Sequence, residues 1–158
     1  MTLADTVLFK VQDAIGDVVK AVSDNGIPVF GATPRVFFQG DALDTTVMSA
    51  ALIEFAEETS DEVQTKFRHR LPWRCRVYFD SKAAGATTRA RHTKLLGLMR
   101  DAIMAARILS GNAIDTHYLG GGSALRPEDE EESGDRWSFE VQCETLYGDK
   151  VLDSTTQA

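Results

Sequence analysis

Cysteine, histidine and proline are scarce in this chain, with two, three and four of them among 158 residues. Two cysteines, Cys75 and Cys143, are too few for the disulfide framework of a small secreted domain, and neither belongs to a CxxC pair. They read as free, half-buried thiols of a reducing compartment. The histidines, His69, His92 and His117, share no metal-ligand spacing with one another or with a cysteine. The run "GGGS" at 120–123 is followed by no "GK[ST]" and opens no GxGxxG helix, so it reads as a flexible linker rather than a phosphate cradle. No catalytic group, metal site or cofactor site is therefore expected. Long apolar runs are missing too: "SAALIEFA" and "LLGLM" fall far short of the ~20 residues that span a bilayer. The segment "MTLADTVLFKVQDAIGD" has no basic stretch and carries aspartates inside its apolar pattern, which is unlike a signal peptide. The expectation is a protein that stays in the cytosol, without a membrane.

Excess positive charge is also lacking. The net charge of −7 argues against general nucleic-acid binding, which depends on neutralising phosphates. Its distribution says more than its sum. Residues 1–65 hold three bases against eleven acids, 66–107 eleven against two, and 108–158 three against eleven. Blocks this distinct lead either to surfaces that attract one another between molecules or to pairing within one sheet. Both outcomes stay open at the level of sequence.

Hydrophobic residues at 43% and charged residues at 26% describe an ordinary globular chain of one-domain length. Between Leu3 and Asp24, Val7, Leu8, Val11, Ile15, Val18, Val19 and Val22 recur three and four apart, the pattern of a helix with one buried stripe. "DNGIP" stops it, since Asn25 and Gly26 tolerate a left-handed cap and Pro28 cannot continue. "RVFFQ" (35–39) reads as a short strand, the stretch around Ile53 and Phe55 as another, and "TSDE" as an acidic turn. In the strand Arg70–Phe79, Trp73, Cys75, Val77 and Phe79 take one face, Arg74, Arg76 and Tyr78 the other; Pro72 suggests an edge or an entry bend. A second helix is predicted over Thr88–Leu109, a short strand at "AIDTHYL", and a last strand from Arg136 to Tyr147 in which Trp137, Phe139, Val141 and Cys143 alternate with polar residues.

These elements predict an α+β fold: a two-layer sandwich of about five mostly antiparallel or mixed strands, with two amphipathic helices on one face. Residues 1–148 form one domain with a long acidic loop at 120–135, and 149–158 a flexible tail. Three consecutive glycines, and six acids against one arginine, make that loop mobile in isolation and able to order against a basic surface. The face away from the helices carries Arg74 and Arg76 with Glu54, Glu140 and Glu144. RNA stacking around Phe67 and Trp73 is the competing use of the basic block, but the alternation turns Trp73 toward the core. The candidate oligomer or partner interface is thus Arg68, Arg70, Arg74, Arg76, Arg89 and Arg91 on the basic side, and Glu128, Asp129, Glu130, Glu131 and Glu132 on the acidic side.

The element order, with "LPWRCRVYFD" and "EEESGDRWSFEVQCETLYGD", resembles the tail terminator proteins of tailed bacteriophages, in the lambda-like minor tail protein family, over residues 3 to about 148. The resemblance implies a virion assembly protein without enzymatic activity. It implies a ring, typically hexameric, that caps the tail tube and meets the head–tail connector. The partners are then further copies of the chain, the tail tube protein and a neck protein, with no sequence-specific nucleic acid. The site is the host cytoplasm during assembly and afterwards the head-proximal end of the tail. The resemblance supplies no site residue. A head-completion or neck protein is the near alternative, and a small oligomeric enzyme or ligand-binding domain the alternative of another class.

Overall fold

A computed structural model describes residues 6–41, 49–63, 66–80, 87–125 and 136–149. Helix α1 spans Val7–Lys20 and helix α2 Thr88–Ala105. Each begins on a threonine whose hydroxyl accepts an otherwise unpaired amide: Thr6 from Phe9 at 3.3 Å and Thr87 from Ala90 at 3.1 Å. The strands are β1 Ser23–Asp24, β2 Ile27–Pro28, β3 Val36–Phe38, β4 Ala50–Phe55, β5 Thr59–Val63, β6 Lys66–Asp80, β7 Asp115–Gly121 and β8 Arg136–Gly148. One sheet runs β3-β4-β6-β8-β7, with β5 pairing the first part of β6. β3 and β4 are parallel, and the other pairs of that sheet antiparallel.

The two-layer α+β sandwich expected from sequence is what forms, with both helices on one face of the sheet. Alternation in β6 turns Trp73, Cys75, Val77 and Phe79 toward Val11 and Ile15 of α1 and Leu95, Met99 and Ile103 of α2. β8 adds Phe139, Val141 and Cys143 to the same core. Full burial of such side chains is worth ~1.5–3 kcal/mol each, so this face dominates the stability of the layer pair. Two threonines are buried there, and both are satisfied. Trp73 Nε1 donates to Thr145 Oγ1 at 3.0 Å, and Thr145 Oγ1 lies 3.1 Å from Thr116 Oγ1, a polar chain joining β6, β8 and β7 inside the apolar layer. The thiols of Cys75 and Cys143 are free and buried. Burial pushes Cys143 up to about 12 and raises Cys75 as well.

Several local expectations are corrected. "TSDE" is strand rather than turn, because Thr59–Val63 pairs with Lys66–Arg70 as a hairpin arm, which also starts β6 four residues early. A solvated two-strand arm has little apolar content, so no hydrophobic pattern announces it. "DNGIP" is not the stop of α1, which ends at Lys20 with its cap at Ala21: Asn25 and Gly26, at φ 52° and 81°, make a two-residue turn between β1 and β2. Helix α2 ends at Ala105, and a 3-10 turn at Leu109–Gly111 follows. Pro72 lies not on an edge but in the central strand. Its carbonyl accepts from Ala56 at 2.9 Å, so its nitrogen faces the gap where β4 has ended and β5 has not begun. The missing N–H therefore breaks no ladder bond to β8. The start of the expected loop at 120–135 is also strand, because Gly120 and Gly121 belong to β7 and Leu125 bridges Ser138; residues 126–135 and the tail from residue 150 lie outside the described residues.

The Phe38 side chain of β3 packs directly on Gly16 of α1, where an added Cβ would stand 2.6 Å from Phe38 Cζ. Gly16→Ala should destabilise the protein by about 1–2 kcal/mol despite the helix propensity it gains. Phe38→Leu introduced with it should recover part of that loss, as read by the urea midpoint at unchanged slope.

Candidate functional site

The sheet face away from the helices is built by the other half of the alternation. Register places Glu54 opposite Arg74 and Glu140 opposite Arg76, and sets Arg70 diagonal to Glu144. Arg74 Nη2 donates to Glu54 Oε2 at 3.0 Å, Arg76 Nε to Glu140 Oε1 at 3.0 Å, and Arg70 Nη1 to Glu144 Oε1. The hydrogen bond to Glu140 holds the Arg76 guanidinium above its ordinary range. The three central arginines are thus matched, one to one, by glutamates of the neighbouring strands. Of the two outcomes that charge separation along the chain allows, these residues take pairing within the sheet.

The remaining candidates are not gathered on this face. Arg68 is exposed on β6 opposite Asp61 of β5, and has no carboxylate partner among the described residues. Arg89 is exposed in the first turn of α2, in the helical layer, and Arg91 is half-buried there. Arg91 Nε is enclosed with no hydrogen-bond partner among the described residues. Glu128, Asp129, Glu130, Glu131 and Glu132 lie outside the described residues. A groove of about 420 Å³ crosses the outer face, with Gln39 and Glu54 toward one end, Arg74 and Gln142 in the middle and Leu119 at the other.

A second polar group escapes any reading of spacing. Tyr147 donates to Glu58 Oε1 at 2.7 Å, and its hydroxyl is raised by burial and by that hydrogen bond. His69 Nδ1 lies 2.7 Å from Ser60 Oγ and 3.3 Å from Glu58 Oε1, while Nε2 lies 2.5 Å from Asp149 Oδ1. Serine, histidine and aspartate in a row have the order of a nucleophilic triad. The adjacent cavity of about 430 Å³, however, is lined by Thr6, Val7, Leu8 and the Glu58, His69, Tyr147 and Asp149 side chains, and not by Ser60. The group works as a clamp that ties the last residues of β8 to the turn before β5. Only the pairing of β5 with β6 and of β6 with β8 brings it together, so no local motif could reveal it. Among the described residues no set of three or more His, Cys, Asp and Glu side chains is arranged to hold a metal ion. No helix there is long and apolar enough to cross a membrane.

No family model matches the chain, and no curated protein matches it. Among solved structures the chain is similar to one from the "Virion of native gene transfer agent (GTA) particle", at 14% identity and a TM-score of 0.47, covering 92% of this chain and 94% of that one.

Pairing within the sheet predicts energetic coupling across it. A double-mutant cycle on Arg76→Met and Glu140→Gln should return about 0.5–1 kcal/mol of coupling at low salt, shrinking as salt rises. Zero coupling would mean that the two side chains meet without stabilising the fold.

Proposed function

We propose that this chain is a structural virion-assembly protein without reaction chemistry, a tail terminator whose copies form a ring that caps the tail tube and offers the surface for head-to-tail joining.

 The chain works through surfaces rather than a reacting centre. What supports the reading is the order of elements on which the resemblance to tail terminators rests: helix, Gly/Pro loop, short strand, strand, acidic hairpin turn, tryptophan-bearing strand, helix, charged loop and a last tryptophan-bearing strand. α1, β3, β4, β6, α2 and β8 follow one another in that order, with the hairpin arm β5 at the acidic turn. The two tryptophan-bearing strands, β6 and β8, pair continuously from Arg68–Gly148 to Asp80–Arg136 at the centre of the sheet. Beside them Arg70, Arg74 and Arg76 of the outer face are each neutralised by a glutamate of a neighbouring strand. A ring subunit needs such a rigid, self-satisfied plate, because its contacts are spread over several surfaces. The partners are then further copies of the chain, the tail tube protein and the head–tail connector. The place of action is the host cytoplasm during assembly and the head-proximal end of the tail afterwards.

Purified protein added to polymerising tail tube protein should stop elongation and appear by negative-stain microscopy as a ring on one tube end. Binding to isolated head connectors with no effect on tubes would move the chain to the neck. Binding to neither would overturn the assembly reading.

A further inference from the structure

We infer that Asn25 is a site of spontaneous chemical modification: at the tip of the β1–β2 hairpin, Asn25 and Gly26 react through a cyclic imide to give aspartate and isoaspartate, a one-way mark of molecular age.

The chain has two asparagines, and the fold treats them in opposite ways. Asn112 is half-buried, and its Nδ2 donates to the Leu109 carbonyl at 2.9 Å. The amide that follows it, that of Ala113, donates to the Ile108 carbonyl at 3.0 Å. Neither group can turn toward the other without losing a hydrogen bond. Asn25 is exposed, and its side chain has no hydrogen-bond partner among the described residues. The pair Asp24–Ile27 closes the ladder, which leaves the Gly26 N–H outside it. Gly26 has open space where a Cβ would stand, so water and base reach its nitrogen unhindered.

The reaction needs nothing but water and a base. Once solvent base has removed the Gly26 amide proton, the nitrogen attacks Asn25 Cγ. The N–Cγ bond closes the imide, the Cγ–Nδ2 bond breaks, and Nδ2 leaves as ammonia after taking up a proton from solvent. Water then opens the ring. Addition at Cγ gives aspartate, whereas addition at the backbone carbonyl of residue 25 gives isoaspartate, with the main chain rerouted through Cβ. No electrons are exchanged.

The hairpin sets the pace. Asn25 and Gly26, at φ 52° and 81°, form a turn of the kind whose first central residue has ψ near ~30°. Ring closure requires Asn25 to leave that conformation, so the turn must open first. Little resists this. β1 and β2 have two residues each and form a sheet of their own, and Ile27 is 71% exposed. The tie to the rest of the fold is Lys94 Nζ with Asp24 Oδ2, at 2.6 Å. Below the hairpin the Val29 amide donates to the Val22 carbonyl at 3.0 Å, and Val22 and Phe30 are buried. Opening therefore stops at that point and leaves the core closed. Isoaspartate adds a methylene to the backbone that a two-residue turn cannot accommodate, so the modified tip stays open.

Incubating the full chain at mildly alkaline pH, followed by digestion and mass spectrometry, tests this directly. Exchange of amide for acid should appear at Asn25 and not at Asn112, at a rate proportional to hydroxide. An isoaspartyl methyltransferase with S-adenosylmethionine should label the product. Lys94→Ala, its fold checked by circular dichroism, should speed the conversion about two- to fivefold, the factor that an exposed ion pair sets. Hydrogen exchange of the aged protein should show the Ile27 amide released and the Val29 amide still protected. Three results would overturn the inference: conversion of Asn112 as fast as Asn25, an unchanged rate in Lys94→Ala, or an intact Asn25 after a period that fully converts the guanidinium-unfolded chain.

Discussion

Everything in this fold depends on one strand keeping a strict two-residue period while paired on both sides. β6 is fifteen residues long, and from Trp73 to Tyr78 it is bonded to β4 on one side and β8 on the other. A slip of one residue would put Arg74 and Arg76 beneath the helices and Trp73 and Val77 in water. Burying even one unpaired guanidinium costs several kcal/mol, so the register is fixed by the charged face as firmly as by the apolar one. The Trp73–Thr145–Thr116 chain adds a directional constraint, because its hydrogen bonds exist in one register only.

The charged face follows from that register and changes what the charge blocks mean. Taken along the chain, a block of +9 between two of −8 suggests mutual attraction between molecules. In the fold, β6 brings part of the basic block between strands drawn from the two acidic ones, and Arg70, Arg74 and Arg76 each meet a glutamate. Long-range segregation in sequence has become short-range neutrality in space. Exposed pairs of this kind contribute little each, at ~0–1 kcal/mol. Their larger effect is to leave the centre of the outer sheet face without a field of one sign.

The long amphipathic elements were legible because burial writes a period into sequence. α1, β6 and β8 each repeat an apolar stripe for three or more turns or pleats, and the side chains assigned to the core by that pattern lie in it, with Val7, Leu8, Val18 and Trp137 partly buried at its margin. What was illegible has no such stripe. β5 is a solvated partner of a hairpin arm, and its Thr, Ser, Asp and Glu residues carry turn chemistry as readily as strand pairing. The His69 clamp draws on residues 58, 60, 69, 147 and 149, whose proximity is a product of two strand registers. Asparagine and glycine at 25 and 26 were correctly placed at a reversal, but a helix stop and a hairpin turn ask for the same left-handed conformations.

Native-state hydrogen exchange on the full chain tests the central role of β6 most directly. If β6 organises the fold, the ladder amides of residues 74–77 should exchange slowest of all and only through global unfolding, with the free energy obtained from urea denaturation. Amides of α1 and α2, held by packing on one side alone, should open at lower free energy. Helix amides that outlast the centre of β6, or exchange of β6 through a partial opening while the helices stay protected, would contradict the account.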